Sequence, residues 1–256
     1  MPVHAVTSNQ EDVYKNLEAV VRKYAATTFL RPVADHTREA FECACEFVKK
    51  FYGVDCFDSN LESRNDVFSL VLDSGCGTGE STIHLARKFP NVPVIGVDKS
   101  AERLTKAGND HQLKLAVAGS LELPVNVFWV RAELLDFWRL ALEKVNAGEW
   151  KILHHALYYP NPWPKESEAT RRFHLHPIFP TLLSLSPVTE LRTNWEIYAR
   201  EFKEAARIAG DCLSLNLDVE FAAFNPENPE TAFERKYQAA GQQLWRALVT
   251  SCPSSR

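Results

Sequence analysis

From Asp12 to Phe29 the apolar residues Val13, Leu17, Val20, Val21 and Tyr24 recur on one helical face, and the pattern stops at Arg31-Pro32. A second one-faced helix is predicted from His36 to Tyr52, with Phe41, Cys45, Val48 and Phe51 in line and Gly53 just past its end. Residues 1–60 therefore read as an N-terminal helical extension, and 61–256 as a separate domain. Beyond the polar stretch Asp58 to Asp66, short apolar runs at 67–72, 92–97, 125–130, 151–159, 188–191 and 212–221 alternate with helical patterns. The helical patterns fall near 80–89, 99–107, 134–146, 171–183 and 194–209. This order predicts an α/β fold with a mostly parallel sheet, whose ligands bind at the carboxyl ends of the strands.

Composition narrows the class. Hydrophobic residues make up 45% and charged residues 24% of 256, which excludes a disordered or fibrous chain. The formal charge is −4, from 29 basic and 33 acidic residues, so a polybasic nucleic-acid binder is excluded and any such contact must use a local patch. Six cysteines, Cys43, Cys45, Cys56, Cys76, Cys212 and Cys252, show no CxxC pair or zinc spacing and are expected to be buried free thiols. His154 and His155, adjacent in a strand, point to opposite faces, and His174 and His176 are two apart, so no metal site is predicted. Residues 1–10 lack a signal-peptide pattern, and no window approaches the roughly 18 apolar residues that span a bilayer. A cytoplasmic location away from membranes is expected; the oligomeric state stays open.

The first run leads into Asp73-Ser74-Gly75-Cys76-Gly77-Thr78-Gly79-Glu80 and a helix. Glycines suit a sharp strand-to-helix turn whose backbone must approach a ligand closely. The spacing is GxGxG, and Glu80 takes the place of the last glycine in the dinucleotide pattern. A carboxylate there opposes a pyrophosphate and suits a ligand without phosphates, such as a cationic nucleoside. Asp98 ends the second run 19 residues beyond Gly79, where a carboxylate can accept hydrogen bonds from ribose hydroxyls. Asp73 can face a positively charged end. After the third run, a backbone N–H and the carboxylate in Ala132-Glu133 can bracket an adenine edge. Together these features resemble the S-adenosyl-L-methionine site of Rossmann-like class I methyltransferases, with Asp73, Gly75, Gly77, Gly79, Asp98, Lys99, Ala132, Glu133 and Asn161 as the cofactor set. An N-terminal extension and a methyltransferase domain over 61–256 follow.

Three X-Pro pairs in Tyr159-Pro160-Asn161-Pro162-Trp163-Pro164-Lys165 predict a stiff extended run that presents Tyr159, Asn161 and Trp163. Arg171-Arg172-Phe173, Leu191-Arg192-Thr193-Asn194-Trp195-Glu196-Ile197-Tyr198 and Thr231-Ala232-Phe233-Glu234-Arg235 follow in order. With the proline segment these resemble the ordered motifs of bacterial tRNA (guanine-N7)-methyltransferases, over roughly residues 67–250. The resemblance implies methyl transfer to a guanine of tRNA, with Asn161 and Asn194 at the catalytic positions. It places Trp163, Lys165, Asn194, Thr231, Phe233 and Glu234 against the substrate, and Arg171 and Arg172 near the RNA. Thr231 also reads as a helix cap, and Trp195 and Tyr198 as core residues.

The pattern is broken where the family has acids and this chain has Asn161 and Asn194. The basic run expected after Lys165 is replaced by Glu166 to Thr170, with two glutamates. Lys15, Arg22, Lys23 and Arg31 offer a basic helix face in partial compensation. Two other readings stay open: a paralogue that methylates a small heterocycle or an amino group, since Asn161-Pro162-Trp163 resembles the Asn-Pro-Pro-aromatic motif of amino-group methyltransferases, and a cofactor- or RNA-binding protein without catalysis.

Overall fold

The computed structural model describes residues 6–54, 67–107 and 123–251. Cys56 and Cys252 lie outside them. Two compact units divide the chain, one of Pro32–Ala156 and one of Met1–Arg31 with Leu157–Arg256.

The Pro32–Ala156 unit contains α2 (Asp35–Phe51), β1 (Phe68–Ser74), α3 (Glu80–Lys88), β2 (Val94–Asp98), a helical stretch α4 (101–107), β3 (Val127–Arg131), α5 (Leu134–Asn146) and most of β4 (Trp150–Tyr158). Strands β3, β2, β1 and β4 are neighbours in that order and all parallel, with Asp73 in register with Gly96 and Asp98 with Arg131. Leu70, Val71, Leu72, Ile95 and Val97 are fully buried, which explains why these strands read as continuous apolar runs and not as alternating ones. Helix α2 packs through Phe41, whose ring meets Phe137 edge-on at 5.0 Å, and through Phe47, stacked on Phe128 at 4.9 Å. Before β3, the buried Asn126 amide donates to the carbonyls of Ala86, Phe89 and Val92, satisfying main-chain oxygens at and beyond the end of α3.

The other unit contains α1 (Leu17–Ala25), α6 (Phe179–Ser184), β5 (Val188–Thr193), α7 (Glu196–Leu213), β6 (Leu217–Phe224), α8 (Ala232–Ala239) and β7 (Leu244–Ser251). Tyr159 N–H donates to the Arg192 carbonyl at 2.7 Å, joining the end of β4 to β5. β7 runs antiparallel to both β5 and β6, so the sheet order is β3-β2-β1-β4-β5-β7-β6. The core forms where α7 buries Tyr198, Phe202, Ala205 and Ala209 and α1 sets Leu17 and Val21 against it.

The expected α/β fold with a mostly parallel sheet is present. Several local expectations are corrected. The helix predicted over 171–183 is two short 3-10 turns, Glu166–Arg171 and Phe173–Leu175, followed by α6. The cause is Pro177, which forces His176 into an extended conformation and interrupts the helix. The strand read over 212–221 starts only at Leu217, because α7 continues to Leu213 and ends on a left-handed Ser214. Strand β7 was absent from the hydrophobic reading, since Arg246 and Thr250 interrupt its apolar positions. Cys43 and Cys212 are exposed, contrary to the expectation of buried thiols, while Cys76 is buried. Among the described residues no helix is long and apolar enough to cross a membrane.

Candidate functional site

The turn from β1 into α3 is made by the backbone. Gly75, Gly77 and Gly79 have φ of 77°, 59° and 75°, a region that strains residues with a Cβ. Gly75 and Cys76 N–H both donate to the Val97 carbonyl, and Gly77 N–H donates to Asp98 Oδ2 at 3.0 Å, tying the loop to the carboxyl end of β2. Gly79 is also a close approach: a Cβ there would fall 2.4 Å from Trp129 Nε1 and 2.9 Å from Ala107 Cβ. At Gly77 a Cβ would meet nothing within 4 Å, so this part of the loop presents an open face.

Asp98 is 4% exposed and held from two sides, by Gly77 on Oδ2 and by Ser100 N–H on Oδ1 at 2.8 Å. Arg103 approaches Oδ2 at 3.7 Å. Asp73 turns toward α3, where Oδ2 accepts from the hydroxyls of Ser81 and Thr82, each at 2.7 Å. Lys99 is exposed, and its carbonyl accepts from Arg131. The expectation that a backbone N–H at Ala132-Glu133 stands ready for an adenine edge is corrected. Ala132 N–H donates to the Asp98 carbonyl and Glu133 N–H to Thr37 Oγ1, both at 3.2 Å.

One buried chain at the end of β1 was missed. Trp138 Nε1 donates to Ser74 Oγ, and Ser74 Oγ contacts His155 Nε2, each at 2.8 Å. Ser74 Oγ keeps a second lone pair besides the one that accepts from the indole, so its contact with His155 Nε2 runs in either direction according to the imidazole tautomer. Burial, with a small contribution from neighbouring His154, pushes the His155 pKa down to about 3 and keeps the ring neutral.

In the Leu157–Arg256 unit the proline segment is not extended. Tyr159 and Trp163 have φ of 52° and 46°, a strained region for aromatic residues, whereas the X-Pro pairs predicted extended backbone. Tertiary contacts account for both. Tyr159 N–H completes the ladder to Arg192 while its hydroxyl donates to Glu234 Oε1 at 3.2 Å. Trp163 N–H donates to Asn161 Oδ1, and its carbonyl accepts from Arg172 Nη2 at 2.9 Å. Asn161 and Lys165 are exposed.

Arg172, expected near RNA, is fully buried, so that expectation is corrected. It pairs with Glu201 Oε2 at 2.6 Å, donates to Gln10 Oε1 and lies 4.7 Å over the Trp195 ring. Glu201 also accepts from Gln10 Nε2, Tyr14 N–H and His174 Nε2. Burial pushes the Glu201 carboxyl up, but the hydrogen bond from His174 and the charge of Arg172 outweigh it and hold the group down to about 2. Arg171 remains exposed, 4.6 Å over the Trp163 ring and paired with Glu168. Glu166 pairs with Lys15, so both glutamates that replace the expected basic run are matched by cations.

A second buried cluster centres on Arg192, which contacts Glu190 at 2.9 Å, Glu230 at 2.7 Å and Glu234 at 2.9 Å. Tyr158 donates to Glu190, and its ring lies 4.0 Å from the guanidinium. Thr231 caps α8 by accepting from Glu234 N–H at 3.0 Å, and the Glu234 side chain also accepts from Glu230 N–H. Thr231 and Glu234, expected against the substrate, are thus 8% and 0% exposed and engaged within the protein. Asn194 donates to Gln242 at 3.1 Å, and Trp195 and Tyr198 are core residues as read. The partners Gln10, Glu190, Glu201 and Glu230 were missed, because no local pattern links residues up to 191 positions apart.

The residues expected in the site thus fall in two sets: Asp73, Gly75, Gly77, Gly79, Asp98, Lys99, Ala132 and Glu133 in the Pro32–Ala156 unit, and Asn161, Trp163, Lys165, Arg171, Asn194, Thr231, Phe233 and Glu234 in the other. A parallel α/β sheet with a left-handed glycine loop and an acid ending the next strand defines a nucleoside-cofactor enzyme of the doubly wound class. Within that class the chain belongs to the family described as "Putative methyltransferase", which matches residues 68–247. Its cofactor is S-adenosyl-L-methionine, and the open Gly77 face with the fixed Asp98 carboxylate fits that group.

The chain is 28% identical over 202 residues to a tRNA (guanine-N(7)-)-methyltransferase of Stutzerimonas stutzeri, covering 76% of this chain and 79% of that protein. To the protein of the same name from Neisseria meningitidis serogroup C it is 27% identical, covering 82% and 84%. Among solved structures it aligns with that of "an Antibiotic Related Methyltransferase" at 17% identity and a TM-score of 0.48, over 90% of this chain and 98% of that one.

Proposed function

We propose that the chain methylates N7 of a guanine in tRNA. The observation that carries this reading is the match over about four-fifths of the chain to relatives that bear that name. When bound, S-adenosyl-L-methionine supplies an electrophilic methyl group on a sulfonium. Asp98, oriented by Gly77 and Ser100, takes the ribose hydroxyls with its remaining lone pairs. The glycine loop holds the cofactor through its backbone, with Asp73 and Glu133 as nearby carboxylates.

Guanine N7 carries a lone pair and no proton, so the protein's task is placement and charge stabilisation, with no general base required. Lys165 at the end of the proline segment and Arg171 in the turn that follows are exposed cations that can meet RNA phosphates, Arg171 by exchanging its pairing with Glu168. The amino-group alternative asks Asn161 Oδ1, which accepts from Trp163 N–H, to use its second lone pair on a target amine.

The test is single-turnover methylation of unmodified tRNA with labelled cofactor, followed by nucleoside analysis. 7-Methylguanosine is the expected product, and Asn161→Asp or Asn194→Asp is expected to raise the rate by restoring a carboxylate. No labelled tRNA from wild type or either variant, with normal cofactor affinity, overturns the reading. Asp98→Ala is expected to weaken cofactor binding by about ten- to a hundredfold, the loss of a charge-assisted hydrogen bond.

A further inference from the structure

Three prolines in five residues, Pro160, Pro162 and Pro164, leave their segment short of main-chain donors, and it forms neither helix nor strand. What remains to fix it are its carbonyls and the few N–H groups between the prolines. Two of those carbonyls are taken by side chains from elsewhere in the chain. Arg172 Nε and Nη2 donate to the Trp163 carbonyl at 3.2 and 2.9 Å, and Ser8 Oγ donates to the Pro164 carbonyl at 2.5 Å. Just beyond, Glu166 N–H donates to Asn9 Oδ1 at 3.1 Å, and the Glu166 carboxylate pairs with Lys15 at 3.2 Å. Trp163, with φ of 46°, sits among these contacts, and strain of this kind persists only where the surroundings over-determine the backbone.

The residues that reach the segment are themselves anchored on α7. Gln10, 9% exposed, donates through Nε2 to Glu201 Oε1 at 2.6 Å and accepts through Oε1 from Arg172 Nη2 at 3.0 Å. Tyr14 N–H donates to the same Glu201 oxygen, and Asp12 pairs with Arg200 at 3.0 Å. Ser8 is tied to this anchor, because its Oγ accepts from Gln10 N–H at 2.9 Å while its one proton goes to Pro164. All of these residues belong to the unit of Met1–Arg31 with Leu157–Arg256. Ser8, Asn9 and Gln10 precede the stretch 68–247 that matches the family.

We propose that Ser8, Asn9 and Gln10 form a strap that positions residues 161–166 for methyl transfer, with the Ser8 hydroxyl fixing the Pro164 carbonyl. The inference rests on the reading that this segment, through Asn161 and Lys165, meets the tRNA guanine. In that transfer the N7 lone pair forms the new N–C bond, the C–S bonding pair stays on sulfur, and no proton leaves. Geometry is then what the segment contributes, and a misplacement of about 1 Å costs on the order of a hundredfold in rate. Ser8 and Gln10 are positioning residues, acting through the Pro164 carbonyl and through Arg172.

The experiment compares the full chain with Ser8→Ala by amide hydrogen exchange and by single-turnover methylation of tRNA. The Ser8 hydroxyl contacts a carbonyl of the segment, so faster exchange there reports loosening and not the loss of an amide's acceptor. Exchange in residues 161–168 is expected to rise about two- to tenfold, the contribution of one hydrogen bond, with α7 unchanged. Methylation at saturating tRNA and cofactor is expected to slow about tenfold, with cofactor affinity unchanged. Ser8→Thr, which keeps the hydroxyl, is expected to restore both. Unchanged exchange in 161–168, an equal rise throughout the chain, a loosened segment with an undiminished methylation rate, or Ser8→Thr no better than Ser8→Ala overturns the proposal. A wild type that labels no tRNA, together with the local rise in exchange, supports the strap and overturns the tRNA reading alone.

Discussion

The two units secure their candidate functional residues by different means. In the Pro32–Ala156 unit the glycine loop is shaped by three left-handed glycines and by main-chain donors to Val97 and Asp98. In the other unit the proline segment is held by ionised side chains: Arg172 grips the Trp163 carbonyl while Glu201 compensates its charge, and Glu234 anchors Tyr159 through the Arg192 cluster. The two clusters are opposites. One surrounds a carboxylate with an arginine, a histidine, a glutamine and a main-chain N–H and is sealed; the other surrounds an arginine with three carboxylates and opens at Glu230. A backbone device tolerates loss of a neighbouring charge, whereas a buried ion cluster does not survive loss of a member, because the charge left behind has no partner.

Glu201→Ala is the harshest test of that contrast. It leaves Arg172 buried without its counter-ion and is expected to cost about 3–5 kcal/mol, read from the urea midpoint. A loss below about 1 kcal/mol would show that the cluster is not what holds the segment.

Acid tests the buried groups next. Free His155 binds a proton below 6.5, but in the fold it does so only near 3, so the unfolded state takes up the proton first. Stability therefore falls as pH drops from 6.5, by up to about 1.4 kcal/mol per pH unit. The Glu201 carboxyl is lowered in the fold, from 4.5 to about 2, so its contribution is complete above 4.5 and is lost as pH falls toward 2. The histidine in the Pro32–Ala156 unit is thus expected to respond at milder acid than the carboxylate in the other. Stability measured between pH 6.5 and 4.5 should lose part of its slope in His155→Asn, the rest coming from His174 and His176, which burial also holds below the ordinary histidine value; an unchanged slope would mean that His155 is not held neutral by its burial.

Within the loop, Gly77→Ala meets only the left-handed penalty of about 1–2 kcal/mol. Gly79→Ala adds the overlap with Trp129 and is expected to cost about 2–3 kcal/mol more. Thermal midpoints and cofactor affinity of the two variants check the order, and equal losses would place the strain elsewhere. The smallest effect concerns RNA: Arg171→Ala should reduce the slope of log affinity against log salt by about 0.7. Arg172→Ala, being buried, should destabilise the protein and leave the slope of the folded fraction unchanged.

How much of this was legible follows the same division. The parallel strands around the loop were visible as apolar runs, and the loop itself as glycines before a helix, since each requirement acts on residues close in the chain. Asp98 was readable from its place at a strand end. The second unit was legible as motifs but not as geometry. Arg171 and Arg172 are adjacent and chemically identical, yet one is exposed beside Trp163 and the other is sealed against Glu201. The X-Pro rule gave the wrong backbone at Tyr159 and Trp163, because hydrogen bonds to Arg192, Glu234 and Arg172 override a local preference.

By itself, then, the order of residues determined the α/β class, the glycine turn and the acid at the end of β2. These depend on periodicity, on the missing Cβ of glycine and on short spacings, all properties of neighbours along the chain. Tertiary structure alone decided which arginine is buried, which glutamates converge on Arg192, and that Thr231 and Glu234 first serve to cap and anchor α8. Those outcomes depend on which distant groups meet and how much water remains around them, because the energy of a charge is set by its partners and its solvation, neither of which is a local property of the sequence.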